Sequence, residues 1–163
     1  MIVIDTSAFI SLATAETVDV VLEEYDVHTT EIILEELAET SEYDDGHGYA
    51  APDVLKAKQE YTIHDTSEPE LETSRIDRGE ASCVDLCREL PADFLITDDL
   101  RALPELQNLI EARVAISPIL LKALVNRNRL TEREAKRRVE SLAENRDWLG
   151  SPIYRRAQDL FSE

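Results

Sequence analysis

Apolar and polar positions along the chain follow two rhythms. Short runs rich in β-branched and aromatic residues recur at Ile2-Val3-Ile4, Val27-His28-Thr29, Tyr61-Thr62-Ile63, residues 93–97 and Val114-Ala115-Ile116. Each is too short for a helix and reads as a strand. Between them the apolar residues fall at helical spacing, which predicts helices over about 6–12, 16–25, 30–40, 52–60 and 80–90, one after Asp99, and others over 118–126, 131–145 and 151–161. Thr6-Ser7 and Thr30 are the expected caps, and Pro52 suits the first turn of its helix. The segment from Ser41 to Ala51, with Asp44-Asp45-Gly46-His47-Gly48, reads as a loop, and residues 65–77 as a polar, exposed stretch. Strands alternating with helices predict an α/β chain of three layers, helix on sheet on helix, around a central, mostly parallel sheet of four to five strands.

A length of 163 residues predicts one domain over 1–163, with a C-terminal helical extension from about residue 118. An apolar fraction of 43% supports a packed core despite a net charge of −18. No apolar run approaches the length of a membrane span, so a soluble, cytoplasmic protein is expected. Cys83 and Cys87, four apart on one helix face, read as small buried apolar residues. They and the three histidines (His28, His47, His64) make no zinc spacing. His47, between two glycines, reads as an ordinary loop residue.

Two strand ends carry the chemistry. Ile2-Val3-Ile4 runs into Asp5, and Phe94-Leu95-Ile96-Thr97 runs into Asp98-Asp99. In an open α/β sheet, ligands bind beyond the carboxyl ends of the strands. Carboxylates delivered there predict a site for a hard cation such as Mg²⁺ or Mn²⁺. Helical periodicity adds an acid: with Ile32 at 0° and about 100° per residue, Leu37 falls near 140° and Glu36 near 40°. Glu36 thus sits within an apolar stripe, which is costly unless it is paired, protonated or bound to a cation; Glu35 lies well off it. Glu80 opens a helix whose inner side is marked by Cys83, Cys87 and Leu90, where a ligand and a dipole-facing first-turn acid look alike. Asp85 points elsewhere and is excluded.

Charge is uneven. Residues 1–100 hold 26 acids and 5 bases, a balance of −21; residues 101–163 hold 9 acids and 12 bases, a balance of +3. A nucleic acid would be repelled by the first part and tolerated by the second. Arg127, Arg129, Arg133, Lys136, Arg137 and Arg138 serve equally well as a solvated helix face with Glu132, Glu134 and Glu140 as ion-pair partners. Four lysines against 35 acids make the composition similar to that of proteins from cells with molar internal salt, typically halophilic archaea.

The order Asp5-Thr6-Ser7, then Thr29-Thr30 leading into Glu31-Ile32-Ile33-Leu34-Glu35-Glu36-Leu37, then Gly79-Glu80-Ala81 nineteen residues before Asp99 resembles the PIN-domain superfamily of metal-dependent ribonucleases. That superfamily includes the VapC-like toxins of toxin–antitoxin pairs. The tail from Arg101, with Trp148-Leu149 and the final helix from Pro152, is similar to an uncharacterised branch. Two departures stand out: Glu80 replaces the usual Asp, and Asp98 precedes the expected Asp99. The resemblance implies a PIN-like fold and an endoribonuclease in which Asp5, Glu36, Glu80 and Asp99 are catalytic and, with Asp98, hold Mg²⁺ or Mn²⁺. It implies Thr6, Ser7 and Thr97 as hydroxyl donors behind the carboxylates, Arg101 as a phosphate contact, RNA as substrate, a small antitoxin as partner, and a homodimer. A catalytically silent PIN-like module that binds a protein partner is the alternative. Phosphotransfer is a weaker rival, because neither an acidic pair at the first strand nor a Gly-rich phosphate loop is present.

Overall fold

The computed structural model describes residues 1–162 apart from Asp44 and Glu72, and excludes the side chain of His47, so the reading of His47 and of Asp44 lies outside the described residues. Five parallel strands form one sheet in the order β3-β2-β1-β4-β5: β1 (Ile2–Ile4), β2 (Val27–Thr30), β3 (Thr62–His64), β4 (Phe94–Ile96) and β5 (Arg113–Ala115). Helices α1 (Thr6–Thr14), α2 (Val18–Glu24), α3 (Glu31–Thr40), α4 (Gly46–Lys56), α5 (Arg78–Glu89), α6 (Leu103–Leu109), α7 (Pro118–Asn126), α8 (Glu132–Asn145) and α9 (Pro152–Asp159) flank it. The result is the three-layer α/β/α arrangement expected, with every strand pair parallel.

The first strand lies at the centre. β1 pairs with β2 on one side and with β4 on the other, in the register Ile2↔Phe94, Val3↔Leu95, Ile4↔Ile96. Strand order therefore reverses between β1 and β4, which is where open α/β sheets leave a crevice at their carboxyl ends. Ile4, Val3, Leu95 and Ile96 are buried beneath it. Phe9 packs against Tyr61 with ring centroids 5.3 Å apart. A second apolar cluster of Ile116, Leu142, Ala143, Trp148 and Ile153 seats α8 and α9. Cys83 and Cys87 are free and buried. At the other end of the sheet, His28 sits between Asp26 (2.9 Å) and His64 (2.8 Å), a pairing that spacing along the sequence did not show. Among the described residues no helix is long and apolar enough to cross a membrane.

Local structure departs from expectation in three places. Asp5, not Thr6 or Ser7, caps α1: its backbone is extended and Oδ1 accepts a hydrogen bond from Ala8 N at 3.0 Å. The expected loop before Pro52 is mostly helix, because Asp45 accepts from Gly48 N at 2.9 Å and starts α4 six residues before the proline. Gly48 makes that start feasible, since a Cβ there would lie 1.7 Å from the Tyr43 carbonyl oxygen. The polar stretch 65–77 contains the fully buried Ile76 and ends on Asp77, which caps α5 by accepting from Glu80 N at 2.8 Å.

The clash at Gly48 is with backbone, which cannot swing aside. Gly48→Ala is expected to lower unfolding stability by about 1–3 kcal/mol, read as a lower urea midpoint at unchanged slope. An unchanged midpoint contradicts this account.

Candidate functional site

Where β1 and β4 end, a cavity of about 250 Å³ opens, lined by Asp5, Thr6, Ser7, Ile10, Ile33, Glu36, Asp77, Glu80, Asp99 and Arg146. A larger hollow between α1, α2 and α4 also carries acids, Glu16, Asp19, Asp53 and Glu60, but does not lie where β1 and β4 end. The carboxylates of the cavity reach it from four places in the fold, Asp77 and Glu80 together from the start of α5. Asp5 arrives from the end of β1 and is 3% exposed; Ser7 Oγ donates to its Oδ1 at 2.8 Å. Glu36 arrives from the middle of α3, half-buried, and Thr6 Oγ1 donates to it at 2.9 Å. Glu80 arrives from the first turn of α5 and is 6% exposed. Asp99 follows β4, and its Oδ1 accepts from the backbone N–H groups of Arg101 (3.0 Å) and Ala102 (3.3 Å).

Asp98 has a different task. Its two oxygens accept from Ser117 N and Ser117 Oγ, both at 2.7 Å, which ties the end of β4 to the start of α7. Its own backbone N–H donates to Ser7 Oγ at 2.9 Å. Thr97 is fully buried, its Oγ1 3.4 Å from Ser7 Oγ and accepting from Asp99 N at 3.3 Å. The Arg101 side chain is exposed, and Asp85 does not line the cavity.

Glycine makes room for one acid. A Cβ on Gly79 would fall 1.8 Å from Glu36 Oε1, so the bare glycine leaves the Glu36 carboxylate its place, from which any side chain at 79 would turn it aside.

Sequence reasoning missed two lining residues. Asp77 was readable, because Asp77 followed three residues later by Glu80 at a helix start is a capping pattern. Arg146 carried no signal, since an arginine at the end of an amphipathic helix reads as surface.

The DUF3368 family, described as a PIN domain, matches residues 1–163. The chain belongs to this PIN-domain family. No curated protein and no solved structure matches the chain. PIN domains are generally nucleases and usually bind divalent metals.

Burial is the main force on the acids of this PIN domain. It pushes Asp5 up to about 7, with the Asp98 charge adding and hydrogen bonds from Thr97, Ala8 N and Ser7 opposing. It pushes Glu36 to about 7, helped by the Asp77 charge and opposed by Thr6. Glu80 rises to about 10, through burial and then the charges of Asp77, Asp99 and Asp5. Glu80 Oε2 is buried with no hydrogen-bond partner. An oxygen-only donor set with one orphaned carboxylate oxygen suits a hard divalent cation. Closure is absent: among the described residues no group of three or more Asp, Glu, His or Cys is gathered tightly enough to hold an ion. Mutual repulsion of carboxylates explains that spread, and a cation would relieve it.

Asp5, Glu36 and Glu80 have folded-state values above their ordinary 3.8 and 4.5, so the native chain binds more protons than the unfolded one as pH rises from about 4. Stability must then fall with rising pH, through about 7 for the first two and further for Glu80. In chelator, the urea midpoint is expected to drop between about pH 5 and about pH 9, and Glu80→Gln to flatten that drop. At the alkaline end the same variant should raise the melting temperature by roughly 2–4 °C for each kcal/mol recovered. A parent midpoint that climbs with pH would sink this electrostatic account.

Proposed function

We propose that the chain is a divalent-metal-dependent endoribonuclease that hydrolyses RNA phosphodiester bonds, with Asp5, Glu36, Glu80 and Asp99 as its metal-holding and catalytic acids. The observation that carries this reading is the meeting of these four carboxylates in one cavity at the strand-order reversal, with Glu80 Oε2 buried and unpartnered. Asp99 is preferred over Asp98 because Asp98 is occupied by Ser117. A bound Mg²⁺ or Mn²⁺ supplies a water acidic enough to attack phosphorus near neutral pH and charge to stabilise the leaving oxygen.

The remaining work falls to the chain. Ser7 and Thr6 fix Asp5 and Glu36 by donating hydroxyl hydrogen bonds, and Thr97 supports the turn that presents Asp99. The N-terminal ends of α1 and α5 meet the cavity and favour its negative charge. Asp77 adds a carboxylate at the rim. A toxin role, with a small antitoxin as partner, extends this reading and rests on the family.

The spread of the acids favours a second reading, a PIN-like module that binds a protein partner without catalysis. Calorimetric titration with Mn²⁺ separates the two: heat that disappears in Asp5→Asn supports the nuclease, and no carboxylate-dependent heat supports the module.

The parent is expected to cleave single-stranded RNA with Mn²⁺ in about 1 M KCl, where charge repulsion is screened within about 3 Å. Asp5→Asn and Asp99→Asn should each lose more than the roughly 10–100-fold that removal of a mere supporting partner costs. Asp98→Asn should lower thermal stability while keeping cleavage. An active parent whose Asp5 and Asp99 variants keep full activity overturns the assignment.

A further inference from the structure

Arg146 is the one base among the residues that line the acidic cavity. It is the C-cap of α8, and its half-buried side chain reaches across to the ends of β1 and β4. Buried Nη1 makes no hydrogen bond, and among the described residues Arg146 forms no ion pair. Other arginines of the chain behave differently beside acids. Arg78 forks onto Glu68 at 2.5 and 2.9 Å, and Arg129 bonds both Glu23 and Glu24. Arg138 caps the end of α1 through the Ala15 carbonyl at 2.7 Å.

A guanidinium offers five N–H donors in a planar fork that fits paired anionic oxygens. Here Asp98, the acid whose charge acts most on Arg146, already accepts hydrogen bonds from Ser117 at both oxygens and makes no ion pair with the guanidinium. Burial disfavours the charge of Arg146, and the charges of Asp98 and Asp5 oppose that effect. The fork is therefore held at the cavity wall with donors to spare. Its natural complement must enter the cavity, carry negative oxygens in a pair, and tolerate carboxylates on the other wall. A phosphodiester meets these conditions with its two non-bridging oxygens.

We infer that Arg146 grips the non-bridging oxygens of the phosphodiester that enters the cavity, so that α8 supplies the substrate-binding cation that the acidic strand ends lack. The inference rests on the ribonuclease reading above. It also gives the C-terminal helices a part in the site: the apolar cluster of Ile116, Leu142, Trp148 and Ile153 fixes the end of α8, and hence the fork, against the sheet.

The test measures binding of a labelled single-stranded RNA by fluorescence anisotropy, with Ca²⁺ in place of Mn²⁺, over a series of KCl concentrations, and then cleavage with Mn²⁺. Arg146→Gln is expected to bind about tenfold or more weakly and to reduce the slope of log K against log salt by about 0.7, the share of one single-strand phosphate contact. Lys58→Gln, on the exposed stretch after α4, should change neither. A parent that binds and cleaves while Arg146→Gln keeps the parent's salt slope overturns this inference alone; a lower melting temperature with that unchanged slope marks Arg146 as a counter-ion for Asp98. A parent that neither binds nor cleaves removes the ribonuclease reading, and this inference with it. Should Arg146→Gln fail to fold by circular dichroism, Arg146→Lys decides: a kcat reduced about tenfold or more at unchanged melting temperature supports the fork, and a parent-like kcat overturns it.

Discussion

Ile4 lies opposite Ile96 in the parallel pairing of β1 with β4, and Asp5 and Thr97 follow side by side where the two strands end. Asp5 N donates to the Ile96 carbonyl at 3.1 Å, so this last rung of the ladder locks the acid in place. On either side of it the chain must wind in opposite directions, toward β2 and β3 or toward β5. Helices α3 and α5 then bring their acids to the gap between the two windings, α1 brings the Thr6 and Ser7 hydroxyls, and α8 arrives from the C-terminal end with Arg146. Shifting that register by one residue would move every buried side chain of β1 to the opposite face of the sheet, and the cavity would go with it.

Most of the acids at this gap do two jobs at once. Asp5 caps α1, Asp77 caps α5, and Asp99 accepts the backbone donors of the turn into α6. Each is held as firmly as the start of the element it caps, which limits how far repulsion can push it away. Glu36 has no such duty; it is steered by the Thr6 hydroxyl and by the space over Gly79. Glu80 has the least support, with a buried oxygen that meets no donor, and burial followed by the charges of Asp77, Asp99 and Asp5 gives it the largest shift of the cavity's acids.

The strands, and the acids at their ends, were legible because a short apolar run that stops on a carboxylate is a local pattern. Glu36 was legible through periodicity, since an acid in an apolar stripe is a conflict that the sequence itself displays. The start of α4 was not, because glycine and aspartate near a proline favour a loop locally; the fold overrides this with the Asp45 cap and the close approach of Gly48 to Tyr43. The different surroundings of Asp98 and Asp99 depend on Ser117, nearly twenty residues further on, and adjacency in sequence says nothing about which of two neighbouring acids meets it. Arg146 was illegible for a related reason: only tertiary packing shows that one arginine among twelve bases of the tail faces inward. Of the six bases singled out in 127–138, Arg127 and Arg129 are engaged by Glu23 and Glu24 of α2 and so tie the turn after α7 to that helix, while Lys136 pairs with Glu132 within α8.

The central place of the first strand has a consequence in time. β1 is made first, yet one of its two neighbours, β4, lies some ninety residues downstream. At a synthesis rate of roughly 5–20 residues per second, Asp99 appears about 5–20 s after Asp5, and Arg146 a few seconds later still. Until then the amino-terminal strand has β2 beside it and an open edge on the other side, with Asp5 free to ionise in water. Whatever chemistry the cavity performs is thus withheld from the nascent chain, and a newly made molecule acquires it only when its own carboxyl-terminal helices close over its first strand.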